Sequence, residues 1–210
     1  MKLYLVPIIV LLFSLTGNTQ TLKKMPLTKA ERKMGIYQKF QQRQQLSYVQ
    51  ISLILYRDST YVYRLRDCMT TLRSAGKWQQ GKGKLILESS LKKESPVPVE
   101  VRYGASGKYI DSCDIAIVED SDAAYLPIAH LLINNDSTEC FPSVGKFNGS
   151  YSSINRVKVL FENGMVSSWV PVKAGTRKVS LRVLTDVPIR EYEVMDKWVY
   201  QFKGKLLERQ

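Results

Sequence analysis

Residues 48–65 read YVQISLILYRDSTYVYRL and carry the clearest structural signal in the chain. Hydrophobic side chains at positions 49, 51, 53 and 55 alternate with their neighbours in a period of two, which is typical of a strand with one buried face. The polar residues 57–60 then favour a turn, and Tyr61, Tyr63 and Leu65 alternate in the same way. The stretch predicts an antiparallel hairpin.

Two further strands are predicted directly after this hairpin. Residues 72–78 and 85–87 have strand character, and the glycine-containing segment 79–83 separates them as a turn. We therefore predict a β-meander over residues 47–92. A polar segment with two prolines, residues 91–98, follows it and marks a boundary, because proline cannot donate a hydrogen bond to a strand ladder.

The remaining residues, 97–210, contain hydrophobic segments at intervals of about ten residues, as in a β-sandwich. The clearest turn among them is Asn163-Gly164. Residues 197–208 repeat the order found in the meander: Lys-Trp, a glycine-bearing turn and a short apolar strand. This C-terminal hairpin is expected to imitate the meander or to pair with it. The sequence leaves open whether the two β regions are one domain or two.

The first twenty residues have the pattern of a secretory signal peptide. Lys2 precedes an apolar run over residues 3–15, and small and polar residues follow it. A membrane-spanning helix needs about 20 apolar residues, so this run is too short to be one. We expect the signal peptide to be cleaved near Thr19–Gln20, and we expect no transmembrane span in the mature chain. The protein is expected to be secreted, either periplasmic or on the outer surface. We expect residues 21–46 to be a linker with a short helix, which begins at a Thr28/Glu31 capping box.

The chain is basic, with a formal net charge of +12, but its middle is acidic. Residues 97–144 hold eight acidic side chains against Arg102 and Lys108. A basic protein of this kind is suited to anionic surfaces such as lipopolysaccharide, anionic lipid or acidic glycan. The alternative is a basic surface without a partner. Nucleic acid is not expected in the predicted compartment.

Four segments together resemble the small lipocalin-like β-domains of secreted Gram-negative bacterial proteins. They are GIY at 35–37, ISLILYRDSTYVY at 51–63, SAGKW at 74–78 and GKLIL at 83–87. The resemblance covers about residues 35–89 and implies an architecture more than an activity, and the remainder is analogous to an immunoglobulin-like sandwich. We therefore predict an all-β protein: a short N-terminal helix after a signal peptide, an antiparallel lipocalin-like meander and a β-sandwich.

Aromatic side chains on the meander form one candidate ligand site. Tyr56, Tyr61, Tyr63 and Trp78 would line a barrel mouth and stack on a sugar or an apolar ligand. The alternative is cross-strand aromatic packing, which stabilises a sheet directly.

A cluster of carboxylates forms a candidate metal site. Closely spaced loop carboxylates are the oxygen ligands that Ca²⁺ prefers, and the cluster consists of Asp111, Asp114, Glu119, Asp120 and Asp122. The alternatives are a solvated acidic loop or the paired carboxylates of a glycosidase. No other cofactor is expected.

The three cysteines and the single histidine complete the candidate residues. In an oxidising compartment one disulfide is permitted, and Cys113 with Cys140 is the preferred pair, which leaves Cys68 over. The alternative is that all three are small buried residues. His130 has no G-x-S-x-G nucleophile motif beside it and is expected to be structural.

These observations favour a non-enzymatic binding or interaction module at the cell envelope, with a glycan or a protein as its partner. One alternative is a lipocalin-like carrier that holds a small apolar ligand inside the meander. Another is a carboxylate-based hydrolase that uses the acidic loop.

Overall fold

The computed structural model describes residues 20–42, 48–103, 116–141, 146–148, 153–176 and 179–210. Strands account for 52% of the described residues and helices for 5%, which confirms the predicted all-β class. The strands are β1 (Thr21–Met25), β2 (Ile36–Gln42), β3 (Gln50–Tyr56), β4 (Thr60–Arg66), β5 (Thr71–Gly81), β6 (Lys84–Ser89), β7 (Val99–Arg102), β8 (Ala116–Glu119), β9 (His130–Ile133), β10 (Glu139–Phe141), β11 (Lys146–Asn148), β12 (Arg156–Leu160), β13 (Val170–Pro171), β14 (Val179–Val183), β15 (Trp198–Lys203) and β16 (Leu206–Arg209). A short helix, α1 (Lys29–Lys33), and a 3-10 helix (Ile189–Glu191) are also described.

Eight antiparallel strands close into a barrel. Their spatial order is β1-β16-β15-β6-β5-β4-β3-β2, so the predicted meander forms one side and the C-terminal hairpin completes the other. Trp198 of β15 pairs with Leu87 of β6. The barrel is compatible with a lipocalin-like barrel.

The period-two pattern explains why these strands close around a core. In β3, Ile51, Leu53 and Leu55 are buried while the residues between them are not. An eight-stranded barrel is just wide enough for its inward side chains to fill it. The most deeply buried inward residues form one continuous hydrophobic cluster: Leu22, Phe40, Leu53, Leu55, Tyr61, Tyr63, Leu85, Leu87, Tyr200 and Leu207.

Residues 21–46 differ from the expected linker, because β1 and β2 belong to the barrel. The pattern of β1 is only five residues long, and Leu22 is its one fully buried residue. Pairing with both β2 and β16 makes this short segment a strand. In β2 the polar Gln38 lies at a buried position between Ile36 and Phe40, which interrupts the apolar pattern.

The predicted short helix between β1 and β2 is confirmed. The Thr28 hydroxyl accepts a hydrogen bond from the Glu31 backbone N–H at 3.2 Å, and the Glu31 carboxylate accepts one from the Thr28 N–H at 2.8 Å. This reciprocal capping box satisfies two backbone donors that the first helical turn would otherwise leave exposed.

Residues 90–197 leave the barrel after β6 and return at β15; we call them the inserted unit. Two sheets of this unit share one hydrophobic core, in the orders β11-β10-β9-β12-β13 and β7-β14-β8. One pairing differs from an antiparallel sandwich, since β8 runs parallel to β14. The sandwich expected over residues 97–210 thus lacks β15 and β16, which are barrel strands.

The inserted unit packs directly on the barrel. The backbone N–H of Glu193 donates to the Arg73 carbonyl of β5 at 2.7 Å, and Glu191 forms an ion pair with the Arg73 side chain at 2.6 Å. Ala75 of β5 is part of the core of the inserted unit. These contacts fix the inserted unit at the barrel end where β6 finishes.

Candidate functional site

The inserted unit contains a cavity of about 440 Å³, which we call the Arg190 cavity. Three segments line it: residues 125–129 before β9, residues 161–163 after β12, and residues 189–190 of the 3-10 helix. Leu126, Ala129, Phe161 and Ile189 are buried and form an apolar floor. Ile128 is 52% exposed and lies on the wall.

Tight turns hold the first two segments in place. Between β8 and residue 125, the Asp120 N–H donates to the Ala124 carbonyl at 2.7 Å, and Ala123 has a positive φ of 63°. The predicted Asn163-Gly164 turn supplies the second segment, and Gly164 has a φ of 79°. The Asn163 side chain donates to the Ile189 carbonyl at 3.1 Å, which ties this turn to the 3-10 helix.

An arginine bound by two carboxylates forms the polar side of the cavity. The Arg190 Nη1 atom lies 3.0 Å from the Asp120 Oδ2 atom and 3.1 Å from the Asp122 Oδ1 atom, and Nη2 lies 2.7 Å from the Asp122 Oδ2 atom. Asp120 is fully buried, and its Oδ1 atom accepts backbone hydrogen bonds from Ser121 and Ile189, both at 2.8 Å. A planar guanidinium with this many bonds has little freedom to reorient.

The charges of this network are mutually stabilised. The hydrogen bond from Arg190 holds the pKa of the Asp122 carboxyl below its usual range. The same bond to Asp122 raises the pKa of the Arg190 guanidinium. Both groups are therefore ionised near neutral pH. The general acid of a glycosidase needs a raised pKa, so Asp122 has the wrong shift for the hydrolase alternative.

The five predicted calcium ligands do not all lie in the described part of the chain. Asp111 and Asp114 lie outside it. Glu119 belongs to β8, whereas Asp120 and Asp122 engage Arg190. Among the described residues, no group of three or more Asp, Glu, His or Cys side chains is placed to hold a metal ion. The calcium site stays a prediction.

The four predicted ligand-binding aromatics lie in two places. Tyr61 and Tyr63 are 1% and 2% exposed inside the barrel. Trp78 lies at the barrel end that carries α1, where its indole N–H donates to the Tyr56 carbonyl at 3.0 Å. Its ring stacks on Tyr37 with centroids 5.3 Å apart. Trp78 and Tyr37 thus cover one end of the barrel.

Hydrogen bonds occupy the tyrosine hydroxyls inside the barrel. The Tyr61 hydroxyl bonds with the Ser74 hydroxyl at 3.0 Å. The Gln20 amide donates to the Tyr63 hydroxyl and accepts from the Tyr200 hydroxyl, both at 2.8 Å. The hydroxyl groups of these tyrosines are therefore hydrogen-bonded within the protein, and their rings are packed in the barrel core. A carrier would need the same side chains to face its ligand.

Two of the three cysteines lie among the described residues. Cys68 is exposed and free. Cys140 of β10 is fully buried and disulfide-bonded. Cys113, its predicted partner, lies outside the described residues. His130 bonds through Nδ1 to the Glu139 carboxylate at 3.1 Å and packs its ring on Phe141, as expected of a structural histidine.

Sequence reasoning missed Arg190 and the apolar floor of the cavity. The Asn163-Gly164 signal located one wall as a turn, but no local pattern connects it to Arg190.

No protein-family model, no curated protein and no solved structure matches this chain. In the described part of the chain, no helix is both long enough and apolar enough to cross a membrane.

Proposed function

We propose that this chain is a non-enzymatic binding protein that holds its ligand in the Arg190 cavity. The observation that supports the proposal is a cavity of about 440 Å³ with an apolar floor and a rigidly held arginine beside it. Ligand pockets typically measure about 300–1,000 Å³ and combine apolar walls with few fixed polar groups. The Arg190 cavity has both properties.

The charges around the cavity favour a neutral ligand. Asp120, Asp122 and the lining residue Glu162 carry three negative charges against the single positive charge of Arg190. An anionic ligand would be repelled. Among the described contacts, the Arg190 Nε–H has no acceptor. We propose that it donates to a carbonyl on the ligand.

A protein partner has this chemistry. An apolar side chain would fill the floor, and a neighbouring backbone carbonyl would accept from Arg190. We therefore propose that the ligand is a segment of a protein, and that the barrel, which we propose to be lipocalin-like, supports the inserted unit.

We also propose that the protein works at the cell envelope after export. The disulfide bond at Cys140 supports this, because disulfides persist in oxidising compartments and are rare in the cytosol. The apolar run at residues 3–15 supports it as well, as the core of a cleaved signal peptide.

A matched pair of probes tests the cavity. N-phenyl-1-naphthylamine is neutral and apolar, and 8-anilinonaphthalene-1-sulfonate adds one negative charge to the same skeleton. We expect the neutral probe to bind with a rise in fluorescence and the sulfonate to bind about tenfold more weakly, since like charges repel.

The variant Ile128→Asp should weaken binding of the neutral probe by about tenfold, because it removes an apolar wall and adds a fourth carboxylate. Leu184→Asp is the matched control, since Leu184 is 51% exposed and lies outside the cavity lining. Equal affinity of Ile128→Asp and the wild type for the neutral probe would overturn the proposal.

A further inference from the structure

Four chain connections meet at the barrel end that faces away from the inserted unit; we call this surface the basic end. They are residues 26–35, 57–59, 82–83 and 204–205. Backbone hydrogen bonds join them: Arg57 N–H to the Gly35 carbonyl at 2.9 Å, Phe202 N–H to the Gly83 carbonyl at 2.9 Å, and Lys24 N–H to the Lys205 carbonyl at 2.8 Å. Connections that are distant in sequence thus form one surface.

Positive charge dominates this surface. The six basic residues of the four connections are all exposed: Lys29, Arg32, Lys33, Arg57, Lys82 and Lys205. The two acidic residues are Glu31, which forms an ion pair with Lys39 at 3.1 Å, and Asp58. Lys77 and Lys84, on the adjoining strands, are also exposed.

Exposed apolar side chains lie within the same surface. Met34, at the end of α1, is 64% exposed, and Tyr37 is 48% exposed and stacks on Trp78. Tyrosine settles at the boundary between lipid headgroups and acyl chains, and an apolar side chain such as that of Met34 inserts into this boundary. Basic residues around them add about 1 kcal/mol each near an anionic bilayer.

We propose that the basic end docks the protein on a bilayer rich in anionic lipid. The basic residues of this surface bind the anionic headgroups, and the side chains of Met34 and Tyr37 insert between the headgroups and the acyl chains. The inserted unit, at the other end of the barrel, then points away from the lipid with the Arg190 cavity accessible. The proposal uses no residue of that cavity, so it stands or fails independently of the proposed function.

Vesicle partitioning of the full chain tests this proposal. The readout is the ratio of two partition coefficients, one for equimolar phosphatidylcholine and phosphatidylglycerol and one for phosphatidylcholine alone. The apolar N-terminal run contributes to both coefficients, so the ratio isolates the electrostatic part. The triple variant Lys33→Gln, Lys82→Gln, Lys205→Gln should lower the ratio about a hundredfold, at about fivefold per lysine.

A charge-matched control distinguishes this surface from net charge. Arg66, Lys93 and Lys197 are exposed and lie at the opposite end of the barrel: Arg66 is the last residue of β4, Lys93 follows β6, and Lys197 precedes β15. A seven-residue strand spans about 20 Å, which exceeds the Debye length of about 8 Å at physiological salt. Replacing these three residues by Gln should therefore lower the ratio by less than about threefold. An equal loss in the two triple variants would overturn the proposal.

Met34→Gln separates a bilayer from an acidic polymer as the partner. We expect this variant to weaken partitioning onto the phosphatidylglycerol vesicles by about fivefold and to leave retention on heparin unchanged. If vesicle partitioning is insensitive to Met34→Gln, or if both vesicle types bind equally, docking on an anionic bilayer is wrong. Near-ultraviolet circular dichroism confirms that each variant is folded.

Discussion

The Arg190 guanidinium donates to the Asp120 carboxylate at 3.0 Å, although 70 positions separate the two residues in the sequence. Asp120 is fully buried, whereas the Arg190 side chain is 36% exposed. A buried carboxylate is stable only with partners that replace its hydration. Arg190 is the charged partner, so this pair joins the turn after β8 to the 3-10 helix and fixes two walls of the cavity.

Arg190→Ala should lower the free energy of unfolding by about 3 kcal/mol, because it leaves a buried carboxylate without its counter-charge. Urea denaturation measures this loss. Adding Asp120→Asn to Arg190→Ala should restore part of it, since the uncompensated charge is then absent. Lys93→Ala, an exposed cation of the same unit, is the control, and an equal effect of Arg190→Ala and Lys93→Ala would contradict the prediction.

Two glycines of β5 predict opposite outcomes. A Cβ atom at Gly76 would lie 2.1 Å from the Glu88 backbone oxygen on β6, so one of the paired strands must shift. Gly76→Ala should therefore destabilise the fold by about 3 kcal/mol. A Cβ atom at Gly81 meets no atom within 4 Å, and Gly81→Ala should leave stability unchanged or raise it by up to about 1 kcal/mol. Thermal unfolding of the two variants tests this prediction, and equal stability of Gly76→Ala and Gly81→Ala would contradict it.

Alkaline pH should destabilise the barrel through its buried tyrosines. Burial raises the pKa of Tyr61 from 10.0 to about 12. Between those values the unfolded chain loses the Tyr61 proton while the folded protein keeps it, so the free energy of unfolding falls as pH rises. Denaturation at a series of pH values should show a shallower fall for Tyr61→Phe than for the wild type.

At pH values below the titration range of Tyr61, Tyr61→Phe should lower the free energy of unfolding by about 1 kcal/mol, because the Ser74 hydroxyl loses its hydrogen-bond partner. Tyr48→Phe serves as the control, since Tyr48 is 84% exposed and its hydroxyl is in solvent. Parallel pH curves for Tyr61→Phe and Tyr48→Phe would refute the role assigned to Tyr61.

Thiol counting tests the disulfide. The chain has three cysteines, of which Cys68 is free and exposed and Cys140 is disulfide-bonded. If Cys113 is the partner, the folded, non-reduced protein should react with one equivalent of a maleimide, and the denatured, reduced protein with three. Mass spectrometry of Cys68→Ser should then show no modification without reduction. Modification of that variant would exclude the predicted pair.

The strands of the meander were predictable because each carries its own pattern. Ile51, Leu53 and Leu55 alternate over a whole strand, and a polar turn follows them. The closure of the barrel was not predictable to the same degree, since β1 contributes a single fully buried residue, Leu22. Its pairing with β16 depends on residues at the far end of the chain.

In the candidate site, too, the sequence predicts the local features but not the contacts between distant residues. The acidic residues at 119–122 were recognised as a cluster, but the sequence does not show that Arg190 lies against two of them. Carboxylates that bind a cation and carboxylates that bind an arginine have the same local pattern. The basic end was likewise hidden, because its lysines are scattered over four connections that only the barrel topology brings together.

The placement of the inserted unit affects the order in which the fold can form. Strands β6 and β15 are neighbours in the barrel, yet residues 90–197 separate them in the sequence. During synthesis the first six strands emerge well before their last two partners, so β6 and β1 present unpaired edges until the C-terminus is made. Exposed edges of this kind invite aggregation. A chain of this topology is most vulnerable to aggregation in the interval before its final hairpin is made.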